Sequence, residues 1–181
     1  MSGHNKFSQI KHQKETEDGK RSKLFSILGR IITIQSRLAK GDSNSPGLRA
    51  AIEKARKANM TNETIERAVK RGIGSEESVL EEVLYEAYGP GGVAMIIEGI
   101  TDSKNRTSNE IKKILNEHGG SLGGPGSNTW AFATGRNDSG EIIYNPINKV
   151  PLSVEDSAKL APLIDNLNNH PDIKSVSTNT G

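Results

Sequence analysis

The chain has 181 residues, of which 33% are hydrophobic and 25% charged, and it contains no cysteine. The missing cysteine excludes a disulfide scaffold, a cysteine zinc site and thiol chemistry. The net charge of +2 hides a strong asymmetry: residues 1–72 hold 16 Lys and Arg against 7 Asp and Glu, a net +9, whereas residues 73–181 hold 8 against 15, a net −7. Such a division points to a basic module that meets a polyanion, tied to an acidic module that does not. The simpler alternative is that the two halves attract each other. No apolar run approaches the length of a membrane span. The start, MSGHNKFSQIKHQK, is polar and basic, so neither a signal peptide nor a membrane partner is expected, and a cytoplasmic protein is.

The first ~15 residues lack apolar periodicity and are expected to form a basic arm that orders only on a partner or against the fold. A helix is predicted from Glu17 to Ala39. Leu24, Ile27, Leu28, Ile31, Ile34 and Leu38 would form its apolar face, widened by Phe25 and Ile32, and Lys40-Gly41 would end it. Ser45-Pro46 starts a second helix, with Leu48, Ala51, Ile52 and Ala55 buried. Thr61 starts a third. Met60 and Ile65 are placed to staple its entry, Glu63–Arg67 and Glu66–Lys70 are i,i+4 pairs, and Lys70-Arg71-Gly72 is the expected end.

A polar junction at 74–77 leads into strand signals at Leu80–Tyr88 and Val93–Ile100, separated by a GPGG turn at 89–92. A helix follows at Asn105–His118, stopped by Gly119. Strands are then expected at Ser127–Ala133, Glu141–Asn145 and Ile173–Ser177. A helix capped by Ser153 and kinked at Pro162 should precede the last strand. The fold class is α+β: a basic arm and three-helix domain over 1–76, then a ferredoxin-like αβ domain with an antiparallel sheet over 77–181.

The arm and first helix present Lys6, Lys11, His12, Lys14, Lys20, Arg21 and Lys23. Within the helix, Lys23, Arg30 and Arg37 recur every seven residues, about 10.5 Å apart along one side. These nine residues are the candidate nucleic-acid contacts. The bland alternative is a solvated basic edge. The connection at 41–45 is too long for a helix-turn-helix, and the sheet lacks the aromatic pair of an RNA-recognition motif. GPGG is not followed by the GK[ST] of a phosphate loop. Residues 119–123 match G-x-S-x-G, but with a helix before and a strand after, the reverse of a nucleophile elbow. Among the four histidines only His4 and His12 share a metal-ligand spacing. No enzyme, metal or cofactor is expected. The remaining alternative is a protein-binding module built on the acidic half.

GHNKFSQIKHQK and GKRSKLFSILGRII at the N-terminus, ANMTNETIERAVKRGIG at 58–74 and EIIYNPINKVPLSVEDSAKLAPLIDNL at 141–167 resemble YebC/PmpR-type proteins. The longest match runs over 85–132 and combines YGPGG, DSKNRT and GGSLG. The resemblance implies a non-enzymatic cytosolic factor with an N-terminal helical domain and an αβ domain. It implies a DNA-binding transcriptional regulator, or a translational activator acting on ribosomal RNA. No cofactor is implied; a monomer is expected. This chain departs from the family at three places. Phe7 stands where Trp is usual, and Gln13 where a basic residue is common. Between Phe132 and Glu141 it has only ATGRNDSG, where longer members insert a third small αβ domain.

Overall fold

A computed structural model of the chain describes residues 4–74, 79–138 and 140–180, with side chains described from residue 17 onward. It divides into two compact units at 79/80, three residues beyond the boundary expected from the sequence. The expected junction itself falls largely at 75–78, outside the described residues.

The first unit contains α1 (His4–Leu38), α2 (Pro46–Lys57) and α3 (Asn62–Gly74). Helix α1 starts thirteen residues before the predicted Glu17, so the segment expected to be an unstructured arm is helical. Its Lys, Gln and Glu residues are good helix formers, and adding residues to a helix already nucleated in a bundle costs little even without an apolar face. At its other end the chain leaves α1 through Lys40 (φ 50°) and Gly41 (φ 81°), with the Gly41 N–H closing onto Ser36 O at 2.9 Å, as predicted.

The buried face of α1 keeps Ile27, Leu28 and Ile32 of the expected set but not Leu24 and Leu38. Leu24 is 45% exposed and Leu38 73%, whereas Leu28 and Ile32 are fully buried among Leu48, Ala51, Ala55, Met60, Ile65 and Ala68. The helix therefore turns its Phe25–Leu28–Ile32 row inward. Two small polar residues, Thr33 and Ser36, continue this row. Thr33 Oγ1 donates to Ala68 O (3.2 Å) and Ser36 Oγ to Val69 O (2.8 Å), so both hydroxyls are satisfied across the α1–α3 contact. Gly72 lies at the same contact: a Cβ there would sit 2.5 Å from Thr33 O. That glycine lets the two helices touch and does not end α3, which continues to Gly74. The staple forms, with Met60 and Ile65 both buried, and Arg67 pairs with Glu63 at 2.8 Å. Leu28→Ala is expected to destabilise this unit by about 2–5 kcal/mol. Leu24→Ala, on the same face in the sequence reading, should cost less than about 0.5 kcal/mol. Urea melts of the two variants check the assignment.

The second unit is β1 (Glu81–Tyr88), β2 (Ala94–Thr101), α4 (Lys104–Glu117), β3 (Ser121–Leu122), β4 (Phe132–Arg136), β5 (Ile142–Pro146), α5 (Val154–Asn169) and β6 (Ile173–Thr178). Four strands form a sheet in the order β3-β1-β2-β6, with every neighbouring pair antiparallel. Helix α4 carries the chain from β2 past β1 to β3, the split crossover of a ferredoxin-like fold. Alternation in β2 divides two cores. Met95 and Ile97 pack with Ile111 and Leu115 of α4 and Leu160, Leu163 and Leu167 of α5. Ala94 and Ile96 face the other way, onto Ala131, Phe132 and Tyr144. The aromatic pair Phe132–Tyr144 meets edge to face at 6.4 Å.

The predicted strand at 127–133 is mostly something else: a 3₁₀ turn at Thr129–Ala131, with the strand itself at Phe132–Arg136. β4 and β5 form a separate two-stranded hairpin, so the extra strands lie outside the main sheet. Pro162 does not interrupt α5, which is helical on both sides of it. Ser153 caps α5 as predicted, its Oγ accepting from Asp156 N at 3.0 Å. GPGG is a structural turn: a Cβ on Gly91 (φ 69°) would strike Leu152 at 2.6 Å.

Candidate nucleic-acid interface

The nine basic candidates all lie on α1, but they do not form one uniform surface. The side chains of Lys6, Lys11, His12 and Lys14 lie outside the described residues, although their backbone belongs to α1. Lys20 and Arg21 are exposed, in a stretch of α1 where every residue from Glu17 to Ser22 is exposed. The Arg21 guanidinium lies over the Phe25 ring, 5.9 Å from its centre. This contact anchors the stem of Arg21 on the edge of the bundle while leaving it accessible.

The heptad ladder is less open. Lys23, Arg30 and Arg37 are all half-buried and each has a partner within the protein. Burial pushes the Lys23 ammonium below the ordinary lysine value, because desolvation disfavours its charged form. A cation already desolvated and partnered has less to gain from a phosphate than one in water. Lys20 and Arg21 are therefore the stronger candidates among the described residues.

A second polar cluster was not visible in the sequence. It joins the end of β2, the first turns of α4 and the α5–β6 connection. Buried Asp172 accepts from Arg106 Nη2 (2.8 Å) and Thr107 Oγ1 (2.7 Å). Hydrogen bonding to Asp172, then the charge of that carboxylate, holds the Arg106 guanidinium above its ordinary value. His170 Nδ1 accepts the Asp172 N–H at 3.2 Å, which assigns the ring proton to Nε2, and Nε2 donates to Glu110 at 2.9 Å. The ligand atoms of Glu110, His170 and Asp172 lie within 4.8 Å of one another, close enough in principle for a metal ion. The chemistry of the set argues otherwise. Asp172 is already paired with Arg106, and His170 Nδ1 accepts a backbone N–H, whereas the free nitrogen of a metal-binding imidazole ordinarily donates to its orienting partner. The cluster is a latch that ties α4 to the α5–β6 connection. Its parts are 60 or more positions apart, a pairing that no local spacing reveals.

A groove of about 480 Å³ lies between α2 and α3, floored by Ile52, Ile65 and Val69 and rimmed by Arg49, Arg56 and Lys70 together with Glu53 and Glu66. Three cations against two carboxylates leave it only a slight positive excess. Among the described residues no helix is long and apolar enough to cross a membrane.

The chain combines a helical unit, whose first helix is basic and exposed over 17–22, with a ferredoxin-like αβ unit. The comparisons give its relatives. Residues 5–75 match the TACO1/YebC protein N-terminal domain, and residues 80–136 match the TACO1/YebC second and third domain. The chain belongs to the TACO1/YebC family. A "Probable transcriptional regulatory protein" of Dictyoglomus thermophilum is 41% identical over 192 residues, covering all of this chain and 77% of that protein. One of the same name from Thermotoga petrophila is 52% identical over 134 residues, covering 73% of this chain and 53% of that one. The match thus spans about three quarters of the first relative and about half of the second. Among solved structures, the conserved hypothetical protein Aq1575 of Aquifex aeolicus superposes with a TM-score of 0.81 at 30% identity, covering 90% of each chain.

Proposed function

We propose that this chain is a non-enzymatic, cofactor-independent regulator of gene expression that binds nucleic acid through α1. The observation that carries the reading is the N-terminal part of α1. From Glu17 to Ser22 it has no buried side chain, yet it remains helical and presents Lys20 and Arg21. A helix polar on all sides, with no core of its own to cover, is suited to lie against a charged partner.

Duplex DNA is the first form of the reading. The relatives' names favour it, and a continuous basic helix is the shape that the DNA major groove admits and the deep, narrow RNA major groove does not. The four-residue α2–α3 connection at 58–61, with Asn59 at φ 64°, also has the length of a tight helix–helix turn. Ribosomal RNA is the second form, and the exposed Trp130 favours it. We also infer that the family's third domain is missing from this chain at the tight 137–141 turn between β4 and β5, closed by Asn137 N–H to Glu141 O at 3.0 Å. Any activity housed in that domain would then be absent.

Titration of the full chain with promoter-length duplex DNA and with a ribosomal RNA fragment, each across a salt series, tests the proposal. The expected result is binding to at least one, with a log–log salt slope of roughly −3 to −4 for four or five phosphate contacts. Sedimentation from lysate at low and moderate salt then separates the two forms. Salt-sensitive migration with ribosomes selects RNA, and a protein that stays at the top of the gradient but binds the duplex selects DNA. Absence of binding to both, or binding that ignores salt, would overturn the proposal.

A further inference from the structure

The segment GGPGSNT at 123–129 is fastened to β1 by an unusual arrangement. Glu86 is buried on that strand, 6% exposed, where strand alternation alone would place an ordinary surface glutamate. Its carboxylate accepts the backbone N–H groups of Gly126 (2.5 Å), Asn128 (2.5 Å) and Thr129 (3.2 Å). Asn128 Nδ2 donates to Ala87 O, and the Tyr88 hydroxyl donates to Ser127 O at 3.1 Å. The loop is held from its backbone, as a buried carboxylate with several N–H donors holds it.

This fastening is not free of cost. Ser127 Oγ and Asn128 Oδ1 are buried without a hydrogen-bond partner, which a segment folded only for stability would avoid. What the loop gains is a fixed presentation of Trp130, the single tryptophan of the chain. The indole is 58% exposed, and its Nε1–H is engaged by Ser127 O at 2.7 Å. With the N–H occupied, the indole offers a partner the apolar surface of its ring rather than a donor.

We propose that Trp130 is a stacking platform for an unpaired base of single-stranded RNA. The proposal rests on the nucleic-acid reading above and deepens its second form. A flat, pre-oriented π-face suits a nucleobase, and every base has a face to offer. A duplex keeps its base faces covered, so the platform selects unpaired segments. An aromatic anchor for a protein partner would instead be expected within an apolar patch that excludes water. The residues that lead to Trp130 are mainly Gly, Ser and Asn.

Because Trp130 is the only tryptophan, emission excited at the red edge, where tyrosine does not absorb, reports on this ring alone. The test titrates the full chain with a fluorescein-labelled oligouridylate and with an RNA duplex of equal length, following label anisotropy and tryptophan emission together. The expected result is quenching that tracks the anisotropy for the single strand and is absent for the duplex. Trp130→Ala should lose roughly 5- to 100-fold in single-strand affinity, and Trp130→Phe should keep most of it. The melting temperature of each variant controls for folding. Saturating anisotropy with unchanged emission and an unaffected Trp130→Ala would overturn the platform but leave the nucleic-acid reading standing. Equal quenching by the duplex would overturn the selection of unpaired bases. No anisotropy change with either RNA would overturn the platform together with the RNA form of the reading.

Discussion

Glu86→Ala is expected to cost the αβ unit about 3–5 kcal/mol, the range for removing one side of a buried, charge-assisted arrangement. The substitution removes the only charge that three backbone N–H groups of the 126–129 segment share, and each would be left facing an apolar methyl. Water can repair the loss only if the loop opens. Glu86→Gln is the sharper comparison. Oε1 serves Gly126, while Oε2 serves Asn128 and Thr129, so either orientation of the amide turns an NH₂ group against at least one N–H donor. The glutamine variant should therefore resemble alanine far more than wild type. The measurement is a thermal melt followed at two wavelengths. The near-ultraviolet signal of Trp130 should be lost in both variants, and the far-ultraviolet midpoint should drop by several degrees. If Glu86→Gln keeps the wild-type midpoint, the carboxylate is not what holds the loop.

Why Glu86 was not legible in the sequence has a physical answer. Strand alternation at Leu80–Tyr88 put Val83, Tyr85 and Ala87 on the covered face, and Tyr85 and Ala87 do pack in the core under the helices. That same alternation put Glu86 on the opposite face, which in a one-sided sheet is solvent. The hairpin β4–β5 and the 123–129 loop cover that face, and neither is predictable from β1 alone. Burial on the second face is a property of topology, which local periodicity does not carry. The network of Asp172, His170, Arg106 and Glu110 was hidden for the same reason.

Features whose cause is local were read correctly. The Ser153 cap, the Met60–Ile65 staple and the Gly119 stop (φ 74°) each follow from a few neighbouring residues, whereas the two-residue edge strand β3 carries no such local signal. The expected face of α1 is broader than the observed one because it takes in two apolar rows. In α1, the Leu24–Ile31–Leu38 row and the Phe25–Leu28–Ile32 row are both apolar. The choice is made by α3, whose Gly72 accepts Thr33 and Ser36 at close range and so rotates the second row inward. The same rotation carries Lys23 and Arg30 toward cover and leaves Lys20 and Arg21 in water, which changes the best test of function.

Lys20→Glu with Arg21→Glu is expected to weaken nucleic-acid binding at least about tenfold at low salt and to flatten the log–log salt slope by roughly 1.4–1.8, the share of two phosphate contacts. Folding should be nearly untouched. Both residues are exposed, and the one described contact that disappears is that of Arg21 with the Phe25 ring, worth about 0.5–1 kcal/mol at such a site. Lys23→Glu with Arg30→Glu makes the same change in charge and serves as the control. Those side chains are half-buried and partnered, and Lys23 is already desolvated enough to lower its pKa. A carboxylate placed there inherits the desolvation and loses the partner, so this pair should cost about 1–3 kcal/mol of stability. The two double variants therefore separate binding from folding. Measured side by side by anisotropy and by thermal melt, the first should move only the binding curve and the second should move the melt as well. If Lys20→Glu with Arg21→Glu leaves both affinity and salt slope at their wild-type values, the exposed stretch of α1 is not the contact surface. The polyanion reading would then have to rest on the basic residues of 4–16 or on those of α2 and α3.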